Sequence, residues 1–287
     1  MLLGVDVGGT FTDAVLVNNG IIIKQAKVKT TQEEVLQGIL QALDIVLSGN
    51  ELDAISRVVV SSTIVTNALT EGKTEPVFLA VMAGPGMSTK GRFPTEPYLA
   101  EGYVDHRGQI IKKASVNEKI VEAMAAGKAV AAVSGKFAVR NQKNEQDLRV
   151  KLKETGFKKI FMGSEISGEL NFVRRTNSAY FSAAVYNKFK EFIGQVEDSV
   201  RSRGITAQVQ ILKADGGTIP LAAALEQPVE AVFTGPAASV LGIEALDAPS
   251  VNAISLDVGG TTTDIAFWSC GSPLLANRGA KIAGYPT

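Results

Sequence analysis

The chain has 287 residues, room for about two domains with cores of their own, and 45% hydrophobic against 20% charged residues is the make-up of a folded globular protein. Lys plus Arg and Asp plus Glu both number 29, which leaves no basic excess for a nucleic-acid backbone or an anionic bilayer. One cysteine, Cys270, and one histidine, His106, exclude an internal disulfide and a Cys/His zinc centre, and no apolar run reaches the roughly 18 residues of a membrane helix.

In chain order, the apolar run 2–5 leads into Asp6-Val-Gly-Gly-Thr-Phe-Thr-Asp13, and a second apolar run covers 14–17, the pattern of strand, glycine turn and strand. Thr31-Gln-Glu-Glu34 reads as a capping box that opens a helix with Val35, Leu36, Ile39, Leu40, Leu43, Val46 and Leu47 on one face and Gly49 as its stop. Strands at 57–60 and 76–83 flank a helix at 64–70. Residues 84–108, with Pro85, Pro94 and Pro97, read as a loop excursion. Helix and strand then alternate over 116–162, and a helix over 172–203 is long enough to span a small domain. A strand at 209–212, a turn at Asp215-Gly-Gly217 and a helix opened by Thr234-Gly-Pro236 follow. The chain then repeats itself, because Asp257-Val-Gly-Gly-Thr-Thr-Thr-Asp264 differs from the first motif only at its sixth place and lies between the apolar runs 253–256 and 265–268.

Glycines without a Cβ can take positive φ and turn successive N–H groups toward phosphate oxygens. Hydroxyls of Thr10 and Thr12, or of Thr261, Thr262 and Thr263, stand beside them. Asp6 and Asp257, at the ends of their strands, suit a Mg²⁺ that keeps most of its waters while bridging phosphates. One copy alone would serve equally as a plain turn; two copies argue for opposed phosphate loops from facing domains that grip a β,γ-phosphate pair. Gly-Xaa4-Gly-Lys-Ser/Thr is absent and no Gly-Xaa-Gly-Xaa2-Gly follows a strand, so neither a P-loop nor a dinucleotide fold is expected.

The doubled motif resembles the superfamily of actin, sugar kinases and heat-shock ATPases, and within it the hydantoinase A and oxoprolinase family. Ser61-Ser-Thr-Ile-Val-Thr-Asn-Ala-Leu69, Glu169 to Thr176, Ala214-Asp-Gly-Gly217 and Val232-Phe-Thr-Gly-Pro-Ala-Ala-Ser239 are similar to further family segments. The resemblance implies an α/β fold of two ribonuclease-H-like, actin-like ATPase domains facing a nucleotide cleft. It divides the chain into residues 1–173, a bridging helix at 174–205 and a truncated second domain at 206–287. It also implies that the chain should continue past its last residue.

For the site, the resemblance implies Mg-ATP held by Asp6 and Asp257 on the metal side. Gly8, Gly9, Thr10 and Thr12, with Gly259, Gly260, Thr261 and Thr262, would form the phosphate loops, and Gly216, Gly217 and Gly235 would lie at the nucleotide. Asp13 and Asp264 would be second catalytic carboxylates near the nucleophile, or simply hairpin caps. Thr63, Thr66 and Asn67 would face substrate or cap their helix; Arg174 and Arg175 would bind an anion or lie solvated. Asp215 departs from the asparagine of the family pattern and puts a charge beside the nucleotide. The implied activity is ATP-dependent opening of a cyclic amide, a hydantoin or 5-oxoproline, by phosphoryl transfer to its carbonyl oxygen, with a B-type subunit as partner. A small-molecule kinase, a ketone carboxylase subunit and a nucleotide-binding activator without turnover are the alternatives. The start of the chain carries no basic leader, so a soluble, unprocessed cytoplasmic protein is expected, without nucleic-acid or membrane partners.

Overall fold

The computed structural model describes residues 1–30, 35–49, 52–259, 263–276 and 279–287. Strands β1 (Leu2–Val7), β2 (Phe11–Asn18) and β3 (Ile21–Lys29) form an antiparallel meander. Asn19 and Gly20, at φ 48° and 78°, make the tight turn that joins β2 to β3. The two-residue period of a strand puts Leu3, Val5, Val7, Thr12, Ala14 and Leu16 on one face, where all are buried. Helix α1 (Val35–Leu47) covers that face with Ile39, Ala42, Leu43 and Val46. The expected capping box at Thr31 to Glu34 lies outside the described residues, whereas Gly49 has the positive φ of a helix stop.

Strand β4 (Arg57–Ser62) and helix α2 (Ile64–Thr70) come next, then β5 (Val77–Met82). The proline-rich excursion is not all loop: β6 (Tyr98–Leu99) pairs in parallel with β5, and β7 (Glu101–Val104) pairs with β8 (Ile110–Ser115). The next elements are α3 (Glu118–Ala125), β9 (Val130–Gly135), α4 (Lys143–Glu154), β10 (Lys159–Met162), the single turn α5 (Gly163–Ile166) and the long α6 (Phe172–Arg201). After it come β11 (Gln208–Leu212), β12 (Thr218–Pro220), α7 (Leu221–Glu226) and α8 (Thr234–Asp247). The chain closes with β13 (Ala253–Val258), β14 (Thr263–Ser269), β15 (Ser272–Pro273) and the small pair β16 (Lys281–Ile282) and β17 (Tyr285–Pro286).

Contacts divide the chain into two compact units that interleave along the sequence. The first takes Met1–Asn67, Asn187–Leu225 and Glu230–Ala276; the second takes Ala68–Tyr186, Glu226–Val229 and Asn277–Thr287. This is not the sequential division expected at 173 and 205, and it puts both glycine hairpins in the first unit rather than one in each. Helix α6 contributes its first half to one unit and its second half to the other.

In the first unit, among the described residues, strands pair in the order β12-β11-β4-β1-β2-β3, with β1, β4 and β11 parallel and β2, β3 and β12 antiparallel to their neighbours. A separate sheet, β13-β14-β15, belongs to the same unit. In the second unit β10-β9-β5-β6 run parallel, and every residue of β5 and β9 is buried, as a sheet covered on both faces requires. Phe78, Ala80 and Met82 enter one core cluster with Leu148 and Leu152; Val77, Leu79 and Val81 enter another with Phe161 and Phe172. No helix among the described residues is long and apolar enough to cross a membrane.

Candidate functional site

The first hairpin sets a polar row across the face of the sheet opposite α1. Register places Asp6 beside Ser61 of β4 on one side and Asp13 of β2 on the other, and Asp13 beside Lys27 of β3. Ser61 Oγ donates to Asp6 Oδ1 at 2.6 Å, and Lys27 Nζ reaches both oxygens of Asp13 at 2.9 Å. Burial raises the Asp6 carboxyl above its ordinary range; the Ser61 hydrogen bond opposes this, while the charges of Asp13 and Asp257 push it further up. Acids that repel one another in this way are what a bound cation would relieve. Sequence reading missed Ser61 and Lys27 as members of the row. The Asn19-Gly20 turn alone would set Asp13 opposite Ala26, and the irregularity between Leu16 and Val17 shifts the pairing so that Lys27 stands there instead.

The turn itself differs from expectation. Gly8 and Gly9 are not among the positive-φ residues. Gly8 is required by close approach: its N–H donates to the Phe11 carbonyl at 2.9 Å, and an added Cβ would lie 2.9 Å from that same oxygen. One of the expected phosphate donors is therefore spent closing the hairpin. A Cβ on Gly9 would sit 3.4 Å from Asn67 Nδ2, which brings the Asn67 amide to the tip. Thr12 is corrected outright. Strand alternation turns it to the buried face, fully inaccessible, with its hydroxyl 2.7 Å from Thr30 Oγ1. Thr10, by contrast, stays at the turn, its carbonyl accepting from Thr30 N–H at 2.7 Å.

The second hairpin repeats the pairing, with Asp257 opposite Asp264. Its leading aspartate also takes a serine hydroxyl, from Ser239 of α8 to Oδ2 at 2.5 Å, a contact not foreseen from sequence. Burial and then the charge of Asp257 raise the Asp264 carboxyl above its ordinary range. Gly259 lies exposed at the end of β13. Gly260, Thr261 and Thr262 fall outside the described residues.

Between α8 and this hairpin lies a cavity of about 310 Å³, lined in part by Asp215, Gly216, Phe233, Leu241, Asp257 and Asp264. Gly216 sits at φ 83°, and Gly217 N–H donates to Asp215 Oδ1 at 2.9 Å. The charge that Asp215 brings is answered locally: Lys213 Nζ lies 2.9 Å from its Oδ2, and that bond, with the Gly217 N–H, holds the carboxyl below its ordinary range. Gly235 packs against Thr63, whose Cγ2 a Cβ would approach to 3.2 Å.

Thr63, Thr66 and Asn67 are engaged in the fold. Thr63 Oγ1 accepts from Asn67 Nδ2 at 3.3 Å, and Thr66 Oγ1 accepts from Phe233 N–H at 2.9 Å, where the chain enters α8 with Phe233 at φ 60°. Through that bond Thr66 helps to position the entry. Arg175 is corrected. It belongs to the second unit, is 1% exposed, and donates from Nη1 to the Glu169 carbonyl at 2.5 Å and from Nη2 to that of Gly135 at 2.9 Å. Burial lowers its pKa, opposed by the charge of Glu145, itself fully buried and accepting from Gly135 N–H at 2.7 Å and Ser164 N–H at 3.1 Å. This network holds strand ends together rather than a ligand. Arg174 is half-buried and bonds the Thr287 carbonyl at 2.9 Å.

Among the described residues no three His, Cys, Asp or Glu side chains form a ready metal cage. A two-carboxylate arrangement still suits an ion that takes its other ligands from phosphates and water. The fold and the paired aspartates define a mixed α/β protein with two carboxylate-bearing glycine hairpins in one unit.

Comparison with known proteins agrees with that class. The structure of nucleotide-free acetone carboxylase matches 95% of this chain and 44% of its own at 20% identity with a TM-score of 0.80. ATP-dependent caprolactamase from Pseudomonas jessenii matches 93% and 43% at 20% identity with a TM-score of 0.70. In sequence, the acetophenone carboxylase gamma subunit of Aromatoleum aromaticum is 25% identical over 92% of this chain and 42% of its own length. Residues 2–156 match the hydantoinase/oxoprolinase N-terminal region and residues 175–287 match hydantoinase/oxoprolinase. The chain belongs to the hydantoinase/oxoprolinase family. It spans less than half the length of the relatives named here.

Proposed function

We propose that this chain is the A-type subunit, or part of one, of an ATP-dependent enzyme that moves the γ-phosphoryl group onto a carbonyl oxygen, and that the carbonyl belongs to a cyclic amide such as a hydantoin or 5-oxoproline. The observation that carries the reading is the doubled aspartate pair in one unit, Asp6 with Asp13 and Asp257 with Asp264, with Asp257 near enough to raise the Asp6 carboxyl. Asp6 and Asp257 would hold Mg²⁺, which supplies neutralisation of phosphate charge. The tips at Gly9, Thr10 and Gly259 would cradle the phosphates. Asp13 and Asp264 would orient the group that attacks or receives phosphorus. The antiparallel β1–β3 meander leading into parallel β4 and β11 supports a ribonuclease-H-like core in the first unit, and the cavity beside α8 supports a ligand there.

An amide carbonyl resists water until its oxygen becomes a leaving group. Phosphorylation does this: the carbonyl oxygen attacks phosphorus and ADP departs, water adds to the carbon, the C–N bond breaks as the ring nitrogen takes up a proton and leaves an open-chain acyl phosphate, and a second water releases phosphate and the carboxylate. The names of the matched carboxylases favour a second reading, ketone carboxylation, that shares the first step. In either case the enzyme would work in the cytoplasm beside a B-type or equivalent subunit.

The test is phosphate release from ATP by the chain with its partner subunit, in the presence of 5-oxoproline, a hydantoin, or a ketone with bicarbonate. Stimulation by a cyclic amide is expected, as is loss of at least about 100-fold in Asp6→Asn with its fold intact. Stimulation by the ketone alone selects the second reading; undiminished turnover by Asp6→Asn removes both.

A further inference from the structure

The two copies of the motif differ at one residue, Phe11 against Thr262, and Phe11 has a specific neighbour. The Lys27 ammonium lies 4.9 Å from the centre of the Phe11 ring while it contacts both Asp13 oxygens at 2.9 Å. An exposed ion pair contributes little to stability, and Lys27 is 60% exposed with Asp13 at 44%. Stability therefore does not account for a lysine forked on a carboxylate and seated on an aromatic ring. Its surroundings do: Asp6 and Asp13 share a row with Asp257 nearby, and an anionic polyphosphate arriving there would meet an excess of negative charge. A recess of about 450 Å³ lined by Asp13, Val15, Gln25 and Lys27 leaves the Asp13–Lys27 end of the row accessible. The second hairpin has no counterpart, since β15 pairs only with Trp268 and Ser269 and, among the described residues, no strand residue stands across from Asp264 on that side.

We propose that Lys27, steadied by Phe11, is a positioning residue that makes the first hairpin receptive to polyphosphate, by cancelling the Asp13 charge and holding that carboxylate in line with Asp6. This rests on the nucleotide reading above and adds to it a residue that neither repeat contains. Because Lys27 acts through Asp13, its loss harms binding only while Asp13 is present.

The experiment is calorimetric titration of the full chain with inorganic tripolyphosphate and Mg²⁺. Lys27→Met should weaken binding about tenfold or more. Lys27→Arg should stay within about threefold of wild type, and the double variant Lys27→Met/Asp13→Asn should recover most of the loss. Lys24→Met, which removes a charge from the same strand where Nζ bonds the Ser48 carbonyl, controls for net charge and should bind as wild type does. Thermal melting checks that each variant folds. Equal affinity in Lys27→Met and wild type overturns the inference while leaving the nucleotide reading in place, as does a double variant no better than the single one. If wild type itself binds no tripolyphosphate, the nucleotide reading falls and takes this inference with it.

Discussion

The first and second glycine hairpins are nearly the same sequence placed in unlike surroundings. In the first, the strand face away from the aspartates is sealed by α1, and the row is bordered by β4 and β3, which bring Ser61 and Lys27. In the second, the corresponding face stays open, with Ile254 and Leu256 each 63% exposed. There Asp257 takes its hydroxyl from a helix rather than a strand, and burial and the charge of Asp257 raise the Asp264 carboxyl. A repeat thus fixes backbone path and cross-strand pairing, because those depend on glycine and strand period. The protonation behaviour of each aspartate depends on what the rest of the chain delivers beside it.

Three changes would break or sharpen this contrast. The largest expected effect is on turnover: Asp257→Asn should lower ATP hydrolysis by about 100-fold or more, as is expected of Asp6→Asn, if the leading aspartates are equivalent across the repeat. Phosphate release measures this, and a drop confined to one of the two would show that a single hairpin carries the metal.

The next effect is on stability. Thr12→Val leaves the buried Thr30 hydroxyl without its partner and should cost about 1–3 kcal/mol in denaturant unfolding, while tripolyphosphate affinity stays unchanged. A loss of affinity at unchanged stability would return Thr12 to the binding site.

The smallest is a pH effect on Asp264. Its folded carboxyl holds a proton more tightly than the ordinary value of 3.8, so protonation stabilises the fold below that value. The contribution fades as pH rises through the raised folded value. Asp264→Asn should therefore melt about 1–2 °C above wild type at pH 7, with the gain gone at pH 3. A constant difference across that range would mean that Asp264 does not titrate in the folded protein as described.

The sequence was most informative where backbone constraints dominate. The hairpins, the 172–203 helix and the fully apolar strands appeared within a few residues of their places, since period and glycine positions dictate them. It was least informative where two distant segments must meet. Nothing local to Arg175 distinguishes a buried arginine tied to Gly135 and Glu169 carbonyls from one on a surface. Thr12 was misplaced for a simpler reason: its motif suggested a ligand, but counting from Asp13 by the strand period puts it on the opposite face. The interleaved units were hidden because α6 and the return of the chain after Asn187 decide membership, and no composition shift marks that point.

One contact has a mechanical meaning. Thr234 Oγ1 both donates to the Ser62 carbonyl and accepts from its N–H, each at 2.9 Å, a two-pronged clasp between the end of β4 and the start of α8. Ser61, one residue before the clasp, bonds Asp6; Ser239, on the helix that begins at Thr234, bonds Asp257. The two aspartates are thereby linked through one clasp. Loss of the Thr234 hydroxyl would therefore be felt at both carboxylates at once.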